Sequence, residues 1–379
     1  GFIVRIAFIR KRFTPFGGAE LYLQRLITTL LTHGHEIHLY ASRWITPERS
    51  LHYHRVPIIA GSAFIEALSF AYTVKRMLGN HSYDIVFSFE RTLIQDIYRA
   101  GDGCHKEWLR RRQAVYPWTE SLFSRLSPLH QVLLFLEKRT FCNSKVIIAN
   151  SYQVKDEIQQ HYHLTAEKIR VIYNDVDLQR FNPANKAKYR KKIREKLNIK
   201  DQDMLLLFVG SGFARKGLAF LIKAMATICK NDKLPVKLVI AGKGKIENYI
   251  EMARKEGIAD HIIYTGPIEQ VEELYASSDL FVLPTIYDPF SNACLEALAS
   301  GIPVVTSLAN GAAELLTDQE NGYLVKDATD VRALAAAVAL FAKSSPKEEM
   351  QNKARKSAES LVKRYGNIAI YNDIFDTLR

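Results

Sequence analysis

Cysteine is scarce in this chain. Its 379 residues hold four, at positions 104, 142, 229 and 294, and no two have the spacing of a metal-ligand pair. A disulfide framework is not expected in a chain of this size, and scattered thiols fit a reducing compartment. Long apolar runs are missing as well: none approaches the roughly 20 residues of a spanning helix. The opening stretch GFIVRIAFIRKRF lacks a charged segment followed by a long apolar core, so a signal peptide is not expected. There is no low-complexity tract and no short tandem repeat. Acids are in deficit, with 40 Asp and Glu against 52 Lys and Arg and a formal net charge of +12. That balance favours an anionic partner: nucleic acid, acidic lipid or a phosphorylated substrate.

What is present is the composition of a globular protein, 47% hydrophobic and 24% charged, in a length that favours two domains over one. IVRIAFI (3–9), EIHLYA (36–41), YDIVFSF (83–89) and SKVIIANS (144–151) read as buried strands with helical patterns between them. The second half repeats the rhythm with MLLLFVG (204–210), a helix from about Lys216, VKLVIAG (236–242), HIIYTG (261–266), a helix over 271–278, LFVLP (280–284) and PVVTS (303–307). Strand–helix alternation on this scale predicts an α/β protein, with parallel sheets covered on both faces. Two such series predict two doubly wound domains, parted near the turn-rich IYNDVDLQRFNPANK (172–186). The expected limits are 1–172 and 173–355, with a C-terminal helix over 356–379 packing back on the first domain. KAKYRKKIREKLNIK (186–200) reads as a charged surface helix and absorbs part of the basic excess. No nucleic-acid-binding motif is recognisable, so nucleic acid is not expected as a partner.

Two carboxylates stand in YDPFSNACLEALASGIPVV (287–305), which reads as loop, helix, turn and strand. Ser291 is a good N-cap. Leu295, Leu298 and Ala299 share a helical face. Gly301 fits a left-handed helix end, and Pro303 stops the helix. The N–H groups near Ser291 and Asn292, with the helix dipole, make a ready anion site. Glu296 lies about 7–8 Å further along the axis at 1.5 Å per residue. A diphosphate at the helix start would leave Glu296 and Asp288 to accept hydrogen bonds from the groups on its two sides, as the ribose and sugar of a nucleotide-sugar would require. The plainer account is that Glu296 is a satisfied helix carboxylate and Asp288 belongs to a turn before Pro289.

Other stretches bear on the same chemistry. Gly17 and Gly18, in FTPFGGAELYL, stand between the first strand and first helix, where ligands bind in open α/β sheets. They let the backbone approach a phosphate or sugar, or they simply make a tight turn. VGSGFARKGLAF places Arg215 and Lys216 in a strand-to-helix loop, with no acid beside them in sequence. A forked guanidinium and a point-charge ammonium suit a diphosphate. Leu218 after the glycine excludes a Walker A loop. AGKGK (241–245) reads as a strand-end turn, and Asp102 in DGC follows an element end in the first domain.

As a set, PFGGAE, YNDVDLQRF, GSGFARKG and DPFSNACLEALASGIPVV resemble the GT-B glycosyltransferases of family 4, over nearly the whole chain. Within the family the chain looks most like the lipopolysaccharide core glucosyltransferase I group, a match supported by SFERT…AGDGCHKEW. The resemblance implies a GT-B fold, two Rossmann-like domains facing a central cleft, and a retaining hexosyltransferase. It implies a UDP-glucose donor and a lipid-linked oligosaccharide acceptor. It also implies no cofactor, no essential metal, and work at the cytoplasmic face of a bacterial inner membrane. By the same resemblance Glu296 holds the ribose hydroxyls and the amides of Ser291 and Asn292 face phosphate or sugar. Asp288 binds the donor sugar, Arg215 and Lys216 neutralise the diphosphate, Gly17 and Gly18 cover the donor phosphate, and Asp102 lies near sugar and acceptor. The same fold also serves nucleotide-sugar epimerases and transferases to other lipids or small molecules. The chain departs from the family at Asp288, where most members have Glu, and at Asp175, where Gly is usual; Asp tolerates the left-handed conformation.

The stretch 104–141 mixes basic and aromatic residues, among them Lys106, Arg110, Arg111, Arg112, Trp108 and Trp118. Pro117 and Pro128 break it into short amphipathic pieces. Such a segment can lie in the interface of an anionic leaflet, and peripheral membrane binding is expected through 106–126. The plainer account, a solvated rim on a domain core, fits 129–136 better.

Overall fold

The structure is a computed structural model of the chain. It describes residues 3–13, 18–44, 50–117, 127–232, 234–345, 347–366 and 369–378. The chain divides into two compact units, Gly1–Asn174 with Tyr365–Arg379, and Asp175–Arg364.

The first unit contains β1 (Arg5–Ile9), β2 (Arg12–Phe13), α1 (Gly18–Thr32), β3 (Glu36–Ala41), β4 (Arg43–Trp44), β5 (His52–Arg55) and α2 (Ala63–Leu78). It continues with β6 (Ile85–Ser88), β7 (Ile97–Ala100), α3 (His105–Val115), α4 (Pro128–Asn143), β8 (Val146–Ala149), α5 (Tyr152–Tyr162) and β9 (Ile169–Val171). Seven strands form a parallel sheet in the order β5-β3-β1-β6-β7-β8-β9, while β2 and β4 pair separately. The central strands read as unbroken apolar runs because both faces are covered. Ile6 and Phe8 of β1 enter one core with Leu23 and Ile27 of α1. Ala7 and Ile9 enter another with Phe70 and Val74 of α2.

The second unit contains α6 (Asn185–Lys196), β10 (Met204–Val209), α7 (Leu218–Thr227), β11 (Val236–Ala241), α8 (Glu247–Lys255), β12 (Ile262–Gly266), α9 (Val271–Ser277) and β13 (Leu280–Leu283). Then come α10 (Asn292–Ala299), β14 (Val304–Ser307), β15 (Gly322–Val325), α11 (Val331–Lys343) and α12 (Lys347–Tyr365). Its parallel sheet runs β12-β11-β10-β13-β14-β15. The order reverses direction between β10 and β13, so the crevice beyond their carboxyl ends is the ligand-binding position of such a sheet. A last helix, α13 (Ala369–Leu378), belongs to the first unit. Its Tyr371, Ile374 and Phe375 are buried in the core that holds Ile6, Phe8 and Phe87.

Three local expectations are corrected. The helix after β10 starts at Leu218 rather than Lys216, because Gly217 before it is left-handed (φ 77°). The basic helix α6 is not wholly a surface element: Arg194 is buried, with its guanidinium 2.7 Å from Asp279 and bonded to the carbonyls of Ser277 and Asp203. Asp175 does not take a left-handed conformation; outside glycine, positive φ among the described residues falls at His163, Asn198 and Gln319. No helix of the described residues is long and apolar enough to cross a membrane.

Candidate active site

The loop between β10 and α7 is shaped by glycine. At Gly217 a Cβ would stand 1.9 Å from the Pro284 carbonyl oxygen, so the loops after β10 and β13 approach each other only because that atom is missing. At Gly210 a Cβ would stand 2.5 Å from Lys216 Cδ. The lysine stem therefore lies back over the strand end. Its Nζ is 3.0 Å from Asp288 Oδ2, and Arg215 Nη1 is 3.7 Å from the same oxygen. Arg215 also donates to the Tyr287 carbonyl at 2.8 Å, and its own carbonyl accepts from Ile286 N at 2.8 Å and from Thr285 Oγ1 at 3.1 Å. Two cations and a buried carboxylate thus meet at the switch point of the sheet. No acid stands beside the pair in sequence, but the fold supplies one from 72 residues away.

The start of α10 follows the expected capping: Ser291 Oγ accepts from Cys294 N at 3.2 Å. The Ser291 amide is not aimed at a ligand, which corrects one expectation. It donates to Asn310 Oδ1 at 3.2 Å, and the same oxygen accepts from Ala312 N at 3.0 Å. Asn310 is buried, gives its amide to Thr306 Oγ1 at 3.0 Å, and pairs by backbone with Asp288. Sequence reasoning missed it, since its partners lie far off in the chain. The nearby Cys294 thiol is pushed up to about 12, by burial first and then by the Asp288 charge. Asn292 is half-buried on the first turn. Glu296 is half-buried too, and its Oε2 lies 3.0 Å from the hydroxyl of the buried Tyr275. That phenol is pushed well above its usual range, by burial and then by the Glu296 charge. It therefore stays a proton donor and orients the carboxylate. Gly301 is left-handed (φ 73°) and ends the segment as expected.

The remaining candidates lie in the first unit. Gly17 falls outside the described residues, and Gly18 opens α1. Asp102 is exposed in the turn after β7, with Oδ2 3.9 Å from Arg91 Nη1. Arg91 also meets Glu137, at 3.1 Å. Glu137 is fully buried in α4 and was not a candidate. It accepts from the amides of His105 (2.7 Å) and Lys106 (3.1 Å) and from the Tyr162 hydroxyl (2.6 Å). It thus caps α3 from another helix and steadies the turn that carries Asp102. Beside them Arg10 meets Glu20 at 2.6 Å and Glu90 at 3.5 Å.

Both units match known families. Residues 16–180 match the model described as Glycosyltransferase Family 4, and residues 189–360 match Glycosyl transferases group 1. Two parallel-sheet α/β units, the second carrying a cationic loop at its switch point, define a glycosyltransferase of the GT-B type. The chain belongs to the family 4 glycosyltransferases. It is similar to the lipopolysaccharide glucosyltransferase WaaG of Escherichia coli K12, with 26% identity over 330 residues and 85% of each chain covered. The crystal structure of WaaG superposes with a TM-score of 0.80 at 24% identity, covering 94% of this chain and 95% of that one. Anabaena HepE, solved in complex with UDP and glucose, gives 0.72 at 20% identity, covering 98% and 99%.

Proposed function

We propose that the chain transfers glucose, with retention, from UDP-glucose to a lipopolysaccharide core acceptor. The observation that carries this reading is the convergence of Arg215, Lys216 and Asp288 at the β10–β13 switch point. One carboxylate against two cations leaves positive charge in surplus, and a diphosphate would supply the missing negative charge. Asp288, one methylene shorter than the usual glutamate, accepts from sugar hydroxyls. Glu296, oriented by Tyr275, accepts from the ribose. The first turn of α10 at Asn292, and the Gly17–Gly18 loop, face the donor phosphates, and Asp102 serves the sugar and acceptor. The likeness to WaaG supports the acceptor class, and the UDP and glucose held by HepE support the donor.

In this mechanism the acceptor hydroxyl attacks from the face the diphosphate is leaving. A donor phosphate oxygen takes the hydroxyl proton, so no side-chain nucleophile is needed. Arg215 and Lys216 stabilise the departing charge, the part a divalent ion plays in other transferases, and no essential metal is required. The enzyme works at the cytoplasmic face of the inner membrane, held to anionic lipid through 106–126.

A thermal-shift panel of UDP-, GDP- and ADP-sugars tests the donor. A bound donor at one hundred times its dissociation constant adds about 2.7 kcal/mol of stability. Incubation with UDP-glucose then tests the reaction: UDP release that depends on added acceptor supports transfer. Conversion of the sugar without any acceptor would instead mark an epimerase, and stabilisation by GDP- or ADP-sugars alone would reject UDP.

A further inference from the structure

We propose that the first unit holds a divalent transition-metal ion at Glu36, His38 and His52. The ligand atoms of these three residues lie within 4.8 Å of one another. Strand geometry puts them there. Side chains two apart on a strand share a face, so Glu36, His38 and Tyr40 form one row on β3 and His52 and His54 form another on β5. The parallel register sets His38 beside His52 and Tyr40 beside His54. The His38 and His52 rings stack with centroids 4.6 Å apart. Of the 11 histidines in the chain, 35, 38, 52, 54 and 81 fall on or beside this strand pair.

The second layer is built as a metal site requires. His38 Nε2 is 2.6 Å from Glu36 Oε1, and His38 Nδ1 is 2.8 Å from His54 Nε2. With the proton of His38 on Nδ1, that N–H donates to His54 and the Nε2 lone pair faces Glu36 and an incoming cation. Metal-bound histidines are commonly held this way by a hydrogen bond from their other nitrogen. Reaching this state needs only tautomer changes, with no proton gained or lost by the pair. Access is open: β5 is the edge strand, His52 is exposed, and a groove of about 480 Å³ reaches Glu36 and His52 past His35 and Ser50.

The donor set selects the ion. Arg5 Nε lies 2.8 Å from Glu36 Oε1 and opposes any cation held by charge alone. Two imidazoles and one carboxylate suit Zn²⁺, Co²⁺ or Ni²⁺ over Mg²⁺ or Ca²⁺. Glu36 and His52 begin their strands, whereas the family's ligand edge is where parallel strands end. The ion therefore acts as a clip between the edge strand and its neighbour, not as part of catalysis.

The test uses the untagged full chain, stripped with a chelator and dialysed. Zn²⁺ is followed by calorimetry and Co²⁺ by its visible absorption. The expected result is one ion per chain and a higher melting temperature with Zn²⁺. His52→Ala and His38→Gln each weaken binding at least tenfold, and His54→Phe weakens it about 10- to 100-fold. His33→Ala, on the neighbouring helix end, leaves it unchanged, and Arg5→Gln tightens it. No saturable Zn²⁺ binding, or wild-type affinity in His52→Ala, overturns the proposal. His52 is exposed, so that variant remains decisive if His38→Gln fails to fold.

Discussion

Lys216 is the side chain on which the reading of the site turns. Lys216→Ala and Arg215→Ala should each lower turnover by on the order of 10²–10³, as loss of one charge-stabilising donor does elsewhere. The half-buried Arg215 can go with little change in melting temperature, whereas Lys216→Ala also leaves the buried Asp288 without its nearest partner and should lower it. Steady-state rates with near wild-type turnover in both variants would remove the diphosphate assignment. Gly210→Ala should do similar damage without touching a functional group, since its methyl would displace the Lys216 stem. Asp288 behaves differently from Glu296. Asp288 partners a largely buried lysine, so Asp288→Ala leaves that charge unpaired and disturbs UDP as well as the sugar. Asp288→Asn keeps the shape and should weaken UDP-glucose more than UDP, while Glu296→Ala should weaken both; calorimetry on the four combinations decides. The cap at Ser291 and the turn at Gly301 were legible because both follow from neighbours within a few positions. The Asp288–Lys216 pair and the Asn310 bonds to the Ser291 segment were not, because contacts across the fold leave no mark in local spacing.

At the level of the element, α3 depends on carboxylates that lie beneath it. Glu137 closes its first turn and holds Arg91, so Glu137→Ala leaves a buried guanidinium and two amides short of a partner. A loss of roughly 3–5 kcal/mol is expected, read from urea unfolding followed by Trp108 fluorescence. Glu107, also buried, ties α3 to α5 through His161 at 2.7 Å and bonds Arg110 and Arg111, each at 2.7 Å. Its carboxyl is held down to about 2 by those hydrogen bonds, against burial, which alone would raise it. The His105 imidazole is pushed down to about 4, by burial first and then by Arg91, while Glu137 and Asp102 oppose the shift and His130 reinforces it. The folded state thus resists a proton on His105 that the unfolded chain accepts near pH 6.5. Stability should be complete above about pH 6.5 and fall as the pH drops toward 4. His105→Gln should lessen that limb, to which the imidazoles of His38, His54 and His130, likewise lowered by burial, also contribute. It should leave intact the later loss below about pH 4 to which Glu107 contributes. Urea midpoints at a series of pH values separate the two windows. The helix itself was legible as an amphipathic basic segment. Its capping by α4 was not, since Glu137 reads as one more acid on an ordinary helix.

For the molecule as a whole, the alternation of strands and helices made both sheets legible, because buried parallel strands must be apolar on both faces. The small β2–β4 pair lacks that pattern and was not seen. Membrane attachment is a property at this scale, and the structure alters how to test it. Arg110 and Arg111 are engaged by Glu107, so reversing them would unfasten α3 along with any lipid contact. Arg112→Glu avoids that network and should reduce sedimentation with anionic vesicles while leaving solution turnover intact. Equal sedimentation of wild type with neutral and anionic vesicles would refute the attachment; Trp118 and the rest of 118–126 lie outside the described residues. Chelator treatment gives a further check: turnover with UDP-glucose should persist in EDTA well below the melting temperature of the stripped chain, and its abolition in chain that is still folded would overturn the metal-free mechanism.

The last helix has a consequence for how the protein is made. Tyr371, Ile374 and Phe375 fill the same core as Phe8 and Phe87, so the first unit is interrupted in sequence by the whole of Asp175–Arg364. On the ribosome its sheet emerges early and then waits while the second unit is translated, on the order of 10–40 s at usual elongation rates. During that interval the nascent sheet carries an uncovered apolar face, a natural client for a holding chaperone. Pulse proteolysis of stalled chains should find residues up to 174 protease-sensitive until the 371–375 segment has left the exit tunnel.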